Sequence, residues 1–462
     1  MYDILEHKAA GKPLSRTEIQ FFMDNLCQDR IPDYQTSALL MAIFLNGMAD
    51  SELADWTDAM AKSGDLVDLS AVAGIKVDKH STGGIGDKTT LILGPIIAAC
   101  GGRLAKMSGR GLGFSGGTID KLEALPGFRT ALDEAEFIRL ANTVGFAVTG
   151  QTANVAPADK KLYALRDVTA TVNSIPLIAS SIMSKKLASG SDKIVLDVKV
   201  GTGAFMKTLP DARRLAAAMV AIGEKNGRET VAVLTNMNRP LGRCVGNLLE
   251  LQEAYRTLCG QGPDDLTELC LYLSAQMLSM AGKGSPDDCR AQARQSLRSG
   301  AAAAKFLEFA AAQGGDVRVL GHPEVCYPPA ACQTVCADRD GFFSVVSSEA
   351  IGKASVALGA GRLTKEDSID FTAGIVLEAA VGEPVRAGAP LCRLYAADAA
   401  RLQDGAAELA AAIRIEPEAP PAEPLILDVI DRRALSGPSP AGRPDSPPPA
   451  GPCSPSRKKG TQ

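Results

Sequence analysis

The chain has few of the side chains that enzymes most often use for proton transfer and metal binding. It contains three histidines and one tryptophan, and aromatic residues make up 5% of the sequence. Its eleven cysteines are scattered, and none forms a Cys-x-x-Cys pair. A zinc site at Cys326, Cys332 and Cys336 is disfavoured, because His322 is the sole histidine near them. Scattered cysteines of this kind indicate reduced thiols rather than a disulfide framework.

Long apolar runs and an excess of basic residues are also missing. No run of about 18 apolar residues marks a membrane span, and the N-terminus lacks the charged-then-apolar order of a secretory signal. The formal net charge is −4, whereas nucleic-acid-binding surfaces are basic. We therefore expect a cytoplasmic protein that binds neither a membrane nor a nucleic acid.

The hydrophobic pattern changes along the chain and predicts an α/β protein. Ser15-Arg-Thr-Glu18 is typical of a capping box, and helical patterns fill the first part of the chain. From Ile75, short apolar runs alternate with helical stretches, which favours a mostly parallel sheet with crossover helices. The predicted fold is a discontinuous all-α lobe, a larger α/β lobe with a mixed, mostly parallel sheet, and a strand-rich C-terminal subdomain.

The same pattern predicts the segment boundaries. They are 1–67 for the first part of the all-α lobe, 68–155 for the α/β lobe with two glycine-rich loops, 156–190 for the second part of the all-α lobe, 191–329 for the rest of the α/β lobe, 330–430 for a C-terminal α+β subdomain, and 431–462 for a disordered tail. The tail prediction depends on the Pro, Ser and Gly content, since such a segment has too little apolar surface to offset the entropy of ordering.

The two glycine-rich loops are the most informative part of the chain. Residues 79–90 and 105–123 each combine lysine, small hydroxyl side chains and clustered glycines. Glycines let successive backbone N–H groups approach an anion closely, and lysine adds a compact positive charge. The first loop is not a phosphate-binding Walker motif, because Asp87 precedes Lys88. We interpret the loops as two walls of one oxyanion pocket.

The stretch Ser108-Gly-Arg-Gly-Leu-Gly-Phe-Ser-Gly-Gly-Thr-Ile-Asp-Lys-Leu-Glu123 closely resembles the signature of the thymidine and pyrimidine-nucleoside phosphorylase family. The resemblance extends from about residue 1 to about residue 430. One departure is plain: the family has His-Thr where this chain has Phe114-Ser115. With Phe114 at this position, the chain lacks the family's imidazole near the expected position of the base. The choice between uridine and thymidine therefore stays open.

The resemblance implies reversible phosphorolysis of uridine, thymidine and deoxyuridine to a free pyrimidine and a (deoxy)ribose 1-phosphate. It implies no organic cofactor, inorganic phosphate as co-substrate, and a homodimer formed through the all-α lobe. Three competing interpretations stay open. They are a thymidine-specific phosphorylase, a phosphoribosyltransferase similar to anthranilate phosphoribosyltransferase that uses Mg²⁺, and a non-catalytic nucleotide-binding protein.

The family's site residues carry over to matching positions of this sequence. The implied phosphate-binding residues are Lys79, Ser81, Thr90, Lys106, Ser108 and Thr118. The implied pyrimidine-binding residues are Arg166, Ser181 and Lys185, of which Ser181 and Lys185 are four apart on one helix face. Arg166 and Lys185 also count as catalytic, together with His80, whose pKa is expected near the operating pH so that it can protonate the departing base or donate a hydrogen bond to it.

A monovalent cation, K⁺, is a further implication of the resemblance. The matching positions are Gly86, Lys88, Leu241, Cys244 and Glu253, mostly through backbone carbonyls. The phosphate residues and the base residues belong to different predicted lobes. We therefore expect a cleft between the lobes that closes over the substrates, with residues 150–157 and 188–192 as hinges.

Overall fold

The computed structural model describes residues 1–435, except 112, 115, 153, 329, 363, 365 and 366. Ser115 and the predicted tail from Ser436 onward lie outside these described residues.

The helices are α1 (Tyr2–Ala9), α2 (Arg16–Cys27), α3 (Asp33–Asn46), α4 (Asp50–Ala61), α5 (Thr89–Ala99), α6 (Thr118–Glu123), α7 (Glu134–Thr143), α8 (Pro157–Val168), α9 (Ile175–Ala188), α10 (Leu209–Lys225), α11 (Asn247–Leu258), α12 (Asp264–Met280), α13 (Pro286–Arg298), α14 (Ala301–Ala312), α15 (Ser348–Leu358), α16 (Ala399–Ala410) and α17 (Arg432–Leu435). The strands are β1 (Val77–Ser81), β2 (Leu104–Ser108), β3 (Phe146–Gly150), β4 (Lys193–Val200), β5 (Glu229–Asn236), β6 (Cys244–Val245), β7 (Ala331–Cys336), β8 (Gly341–Val345), β9 (Gly374–Leu377), β10 (Pro384–Val385), β11 (Pro390–Ala396), β12 (Ile413–Glu416) and β13 (Ile426–Ile430).

Helices α1–α4, α8 and α9 form the helical lobe. The capping box at Ser15 and Glu18 starts α2 as the sequence predicts. In the lobe's core, Phe22 stacks on the fully buried Trp56 with ring centroids 5.2 Å apart. The discontinuous all-α lobe is therefore confirmed. No helix within the described ranges is long and apolar enough to cross a membrane.

The central sheet has the order β1-β4-β5-β13, in which β13 is the antiparallel strand. Strands β2 and β3 pair in parallel, and a parallel bridge between Lys76 and Arg103 places β2 beside β1. The sheet is thus mixed and mostly parallel, as predicted. The carboxyl ends of β1 and β2, at Ser81 and Ser108, lie at the same edge, which is where open α/β sheets bind ligands.

The C-terminal subdomain consists of antiparallel sheets β6-β9-β11-β7 and β10-β8-β12 with helices α15 and α16. Two predicted boundaries are wrong. Strand β13 belongs to the central sheet rather than to the segment 330–430, and residues 432–435 form α17 rather than the start of the tail. Strand β13 pairs with the distant β5, and α17 lies against α10 and β5, and local composition reveals none of these partners.

Three chain segments connect the helical lobe to the rest of the molecule. Two are the predicted hinges, and the third is the segment 62–76 that leads from α4 to β1. It lies beside the other two, because the Asp65 N–H donates to Asn154 O at 2.9 Å and the Val67 N–H donates to Ala188 O at 2.9 Å. A rotation between the lobes therefore has to bend three adjacent segments rather than two.

Candidate active site

The side chains of β1 lie in two different environments, because successive residues of a strand point to opposite faces. On one face, the Lys79 ammonium donates to Thr89 Oγ1 at 2.5 Å and pairs with Asp197 Oδ2 at 3.1 Å. On the other face, Asp78 pairs with Lys186 Nζ at 2.5 Å. All of these side chains are buried, so both faces of β1 carry desolvated charge at the ligand-binding edge of the sheet.

The charge of Lys79 is stabilised by the carboxylates around it. Burial alone would lower the pKa of Lys79, but Asp87 and Asp197 raise it above its usual value. Burial likewise would raise the pKa of Asp87, but Lys79 and Lys199 hold it well below its usual value. Lys199 also pairs with Asp197 at 2.8 Å. Lys79 is therefore a charged donor at neutral pH, with Thr89 and Asp197 as close partners and Asp87 at 3.9 Å.

Lys106 comes from β2 and lies behind β1. Its ammonium donates to Lys79 O at 2.6 Å and lies 3.5 Å from Asp78 Oδ1. Burial lowers the pKa of Lys106 to about 8, and Lys186 and Lys79 add to the effect against the opposing pull of Asp78. The cluster of Lys79, Lys106, Lys186 and Lys199 faces three aspartates, Asp78, Asp87 and Asp197, so it carries an excess of one positive charge.

His80 is half-buried among these lysines, and the expectation about its pKa is wrong. Burial is the largest cause of a pKa well below the usual value of histidine, followed by Lys186, Lys106 and Lys79, and then Lys185. The imidazole is neutral at neutral pH, so it can donate a hydrogen bond through its N–H but is not a charged acid. The lysines that cause this shift come from α9 and β2 as well as from β1.

Asp120 fixes the position of the second loop through hydrogen bonds and ion pairs. This buried carboxylate accepts the Gly111 N–H at 2.6 Å, Arg362 Nη1 at 2.8 Å and Arg110 Nη1 at 3.3 Å. Arg362 belongs to the C-terminal part of the chain, so that part helps to position the loop. The predicted phosphate residues Ser81 and Ser108 end β1 and β2, and Thr90 and Thr118 lie in the first turns of α5 and α6.

The predicted base-binding residues lie together on α8 and α9. Lys185 Nζ donates to Ser181 Oγ at 3.3 Å and forms an ion pair with Asp159. Arg166 is buried and donates to three backbone carbonyls in and after the α8–α9 connection, those of Thr171, Val172 and Leu177. Arginine has five N–H donors, so two remain. Lys185 and Lys79 both lower the pKa of His80, so the imidazole feels the charge of members of both predicted residue sets.

A cavity of about 910 Å³ opens between the helical lobe and the rest of the chain. Met48 and Ile175 line it on the helical side, and Phe114 and Phe205 line it on the other. Phe114 packs against α15, where a Cβ built on Gly352 would lie 2.6 Å from Phe114 O. The residue that departs from the family signature therefore faces the interlobe space, whose lining also includes the charged Lys207, Arg214 and Glu349.

The predicted cation site is occupied by the chain itself. Lys88 Nζ donates to Leu241 O at 3.0 Å, to Cys244 O at 2.8 Å and to Glu253 Oε2 at 2.5 Å. The carbonyl of Gly86 accepts the Lys88 N–H at 3.0 Å instead of facing an ion. A K⁺ ion and an ammonium group cannot share this position. The prediction that these residues hold K⁺ is therefore wrong for this chain.

Sequence reasoning missed the carboxylates that hold the lysines. These are Asp78, Asp87 and Asp197 in the phosphate cluster and Asp159 beside Lys185. A signal for Asp197 was present, because Asp197 and Lys199 are the charged residues inside the apolar run 194–200 and lie on one face of β4. Thr89, which contacts Lys79, was also missed, since the prediction named its neighbour Thr90.

Comparisons with known proteins agree with this arrangement. Residues 2–64 match the helical bundle domain of a glycosyl transferase family, residues 73–303 match its α/β domain, and residues 342–416 match the pyrimidine nucleoside phosphorylase C-terminal domain. The pyrimidine-nucleoside phosphorylases of Staphylococcus aureus strains MSSA476 and N315 are each 56% identical over 397 residues, covering 86% of this chain and 92% of theirs.

A solved structure, that of anthranilate phosphoribosyltransferase from Thermus thermophilus, is similar with a TM-score of 0.55 and 21% identity, covering 67% of this chain and 99% of that one. At this identity the similarity concerns the fold alone. The sequence relatives and the three domain matches go further, and by them this chain belongs to the pyrimidine-nucleoside phosphorylase family.

Proposed function

We propose that the chain catalyses the reversible phosphorolysis of pyrimidine nucleosides to a free base and a (deoxy)ribose 1-phosphate. The observation that carries the proposal is the buried lysine cluster of β1, β2, β4 and α9, which has excess positive charge, together with the contact of Lys185 with Ser181 on α9. Lys79 of the cluster and Lys185 both lower the pKa of His80. The lysine cluster suits phosphate. Lys185 and Ser181 suit a pyrimidine, whose carbonyl oxygens accept hydrogen bonds.

The chemistry requires positioning and charge rather than a protein nucleophile. The bond between C1′ and N1 breaks with its electron pair leaving on the base, and a phosphate oxygen forms the new bond to C1′. Lys79 and Lys106 hold the phosphate, whose charge stabilises the cationic sugar. Arg166 and Lys185 stabilise the negative charge that develops on the base. The neutral His80 donates its N–H to the departing base or to the phosphate.

Closure of the lobes would complete this site. The phosphate residues lie on the α/β lobe, the base residues lie on α8 and α9, and the connecting segments lie side by side. A closed cleft excludes water, which competes with phosphate for the sugar cation. Structures of the substrate-bound and the free enzyme with the same orientation of the two lobes would contradict this part of the proposal.

The activity is tested by incubating the protein with uridine, thymidine and deoxyuridine, with and without phosphate, and following base release by ultraviolet absorbance. We expect release that depends on phosphate. Release without phosphate would indicate a hydrolase, and tight nucleotide binding in calorimetry without turnover would select the non-catalytic interpretation.

The Mg²⁺-dependent phosphoribosyltransferase is disfavoured because Asp78, Asp87 and Asp197 beside the loops are each paired with lysine.

We also propose that the enzyme accepts all three nucleosides. A single methyl group changes binding by about 1–3 kcal/mol, which limits discrimination between uracil and thymine in an apolar pocket. Phe114, in place of the histidine of the family signature, offers such an apolar wall. A preference for thymidine over uridine of more than about a hundredfold in kcat/KM would contradict this proposal and favour a thymidine-specific phosphorylase.

The pKa of Lys106 predicts how phosphate binding changes with pH. Lys106 is charged below its pKa of about 8, while the pKa of Lys79 is raised and that of Asp78 is lowered, so both of these keep their charge. We expect kcat/KM for phosphate to fall above pH 8, by up to about tenfold per pH unit. KM for the nucleoside is the internal control and should change less. A phosphate KM that is constant from pH 7 to about 9.5 would remove Lys106 from the binding set.

The proposal includes a homodimer formed through the helical lobe. Tyr34, Ala38, Met41 and Leu45 follow one another along a single face of α3, and Tyr34 and Leu45 are 74% and 72% exposed. An uncovered apolar stripe of this kind is typical of an interface. Two further apolar side chains of the helical lobe, Tyr2 on α1 and Val168 on α8, are also exposed.

We predict that the double substitution Tyr34→Asp/Ala38→Asp dissociates the dimer, because it places four carboxylates in the two-fold interface. Light scattering at several concentrations is the measurement. Val325→Asp is the matched control, since Val325 is 54% exposed and lies away from the helical lobe. A wild-type chain that scatters as a monomer would refute the dimer.

The cytoplasmic location stays part of the proposal, and the ten cysteines within the described residues are free thiols.

A further inference from the structure

The ammonium of Lys88 is buried and fully bonded. The side chain has 0% exposure, and its three N–H donors go to Leu241 O, Cys244 O and Glu253 Oε2. Burial by itself would lower the pKa of Lys88, but Glu253 and Glu250 raise it to about 12, so the group stays charged across the neutral range. No hydrogen of this ammonium is left for a substrate. Lys88 therefore acts on the site through its neighbours.

The oxygen cage around Lys88 is built by close backbone approach. Gly86 and Gly242 both have φ near +70°, at 72° and 73°. A Cβ on Gly86 would lie 2.6 Å from Leu241 O, and one on Gly242 would lie 2.5 Å from Glu253 Oε2. Glu253 is held in turn by the Arg243 N–H at 2.9 Å and the Cys244 N–H at 3.1 Å. The cage joins the first loop to the segment 241–246 and to α11.

Lys88 is flanked by the two residues that hold the phosphate lysine. Asp87, on one side, lies 3.9 Å from Lys79 Nζ, and Thr89, on the other, accepts from Lys79 Nζ at 2.5 Å. Asp87 Oδ1 also accepts from Thr89 Oγ1 at 2.6 Å. Anchoring of residue 88 therefore sets the position of both partners of Lys79. A displacement of the anchor would move the ammonium of Lys79 away from its ligand.

We propose that Lys88 is a positioning residue whose tethered ammonium replaces a bound monovalent cation, so that this enzyme needs no such ion to hold its first anion loop. Two carbonyls and a carboxylate are hard oxygen donors of the kind that bind alkali cations as well as ammonium. Within this cage the ion is part of the chain, so it cannot dissociate. Shortening Lys88 would leave the oxygens in place and open a cavity for a free cation.

The test compares wild type with Lys88→Ala in choline chloride, LiCl, KCl and NH₄Cl at equal ionic strength. The measurements are kcat/KM for phosphate and the melting temperature. Wild type is expected to give the same values in all four salts. Lys88→Ala is expected to lose activity by about tenfold or more in choline, because Glu253 is left unpaired. KCl and NH₄Cl are expected to restore activity and raise the melting temperature saturably, and LiCl is expected to do so less.

Lys88→Met is the matched control, because its side chain fills the cavity without a charge. It is expected to be impaired and not restored by any of the salts. The proposal is overturned if wild type requires K⁺, if Lys88→Ala keeps full activity in choline, or if folded Lys88→Ala is not restored by KCl or NH₄Cl. Should Lys88→Ala unfold in choline, refolding in KCl supports the proposal and equal melting in all salts overturns it.

The kinetic part of this inference rests on the proposed function, but the melting part does not. The melting temperatures are measured without substrate, so failure of the phosphorylase assay leaves the test of the cage intact. Conversely, phosphate-dependent base release with cation-independent melting of both variants would support the function and refute the inference.

Discussion

Replacement of Lys79 by methionine is expected to lower kcat/KM for phosphate by about 10³-fold, with a raised phosphate KM and a lowered kcat. Lys79 is a buried, charged donor in β1, and in the proposed mechanism it binds the anion that opposes the sugar cation. Methionine fills the space of the lysine side chain as far as Cε, so the loss reports on the ammonium group rather than on a large cavity. Steady-state kinetics with phosphate as the varied substrate is the measurement.

The same substitution is expected to destabilise the protein. Asp197 has no exposed surface and would retain Lys199 alone as its cationic partner. Removal of one member of a buried ion pair costs about 3–5 kcal/mol in the free energy of unfolding. Lys193→Met is the matched control, because Lys193 lies on β4 but pairs with the exposed Glu229 at the surface. A phosphate KM in Lys79→Met equal to that of wild type would show that Lys79 does not bind phosphate.

Replacement of Arg166 by alanine is expected to lower kcat by about 10²–10³-fold, which is about 2–4 kcal/mol of transition-state stabilisation. The two free N–H donors of Arg166 are assigned to the base, whose negative charge grows as the bond to C1′ breaks. The phosphate KM should change little, in contrast to the Lys79 variant. A 5-fluorinated uridine, whose base departs with a better stabilised charge, should show a smaller defect than uridine.

Arg166 also stabilises the fold, and the loss of this stability must be separated from the loss of catalysis. Alanine leaves the carbonyls of Thr171 and Val172 without their arginine donor, which costs about 1–3 kcal/mol for each buried group, whereas Leu177 O still accepts from Ser180 Oγ. The kinetics are therefore measured well below the melting temperature of the variant. Arg166→Lys keeps the charge without the planar fork and should recover part of kcat. A near-normal kcat in folded Arg166→Ala would remove Arg166 from the catalytic set.

Features that depend on neighbouring residues were predictable from the sequence. The capping box at Ser15 and Glu18, the alternation of strands and helices, and the glycine-rich loops are each encoded within about twenty residues. The family resemblance followed from one such continuous stretch, residues 108–123. The positions of Lys79 and Lys106 at the ends of adjacent parallel strands also follow from the pattern, because βα units place those ends at one edge.

Features that depend on distant contacts were decided by the tertiary structure. Lys186 and Asp78 are 108 residues apart, and Lys88 and Glu253 are 165 residues apart. No local pattern indicates which carboxylate a buried lysine meets. The neutral state of His80 and the lowered pKa of Lys106 follow from burial and from lysines on other elements. The same is true of β13, whose place in the central sheet is set by pairing with β5.

The sequence by itself therefore predicted the chemical class of ligand that we propose for the pocket, since backbone N–H groups, hydroxyls and lysines in short loops suit an oxyanion whatever surrounds them. The tertiary structure decided which of these groups are charged and which are already occupied. Lys88 shows the difference: the family resemblance implied a cation site at this position, and the three-dimensional surroundings place the ammonium of Lys88 there. Electrostatic energies depend on distance and desolvation, and both are properties of the folded chain.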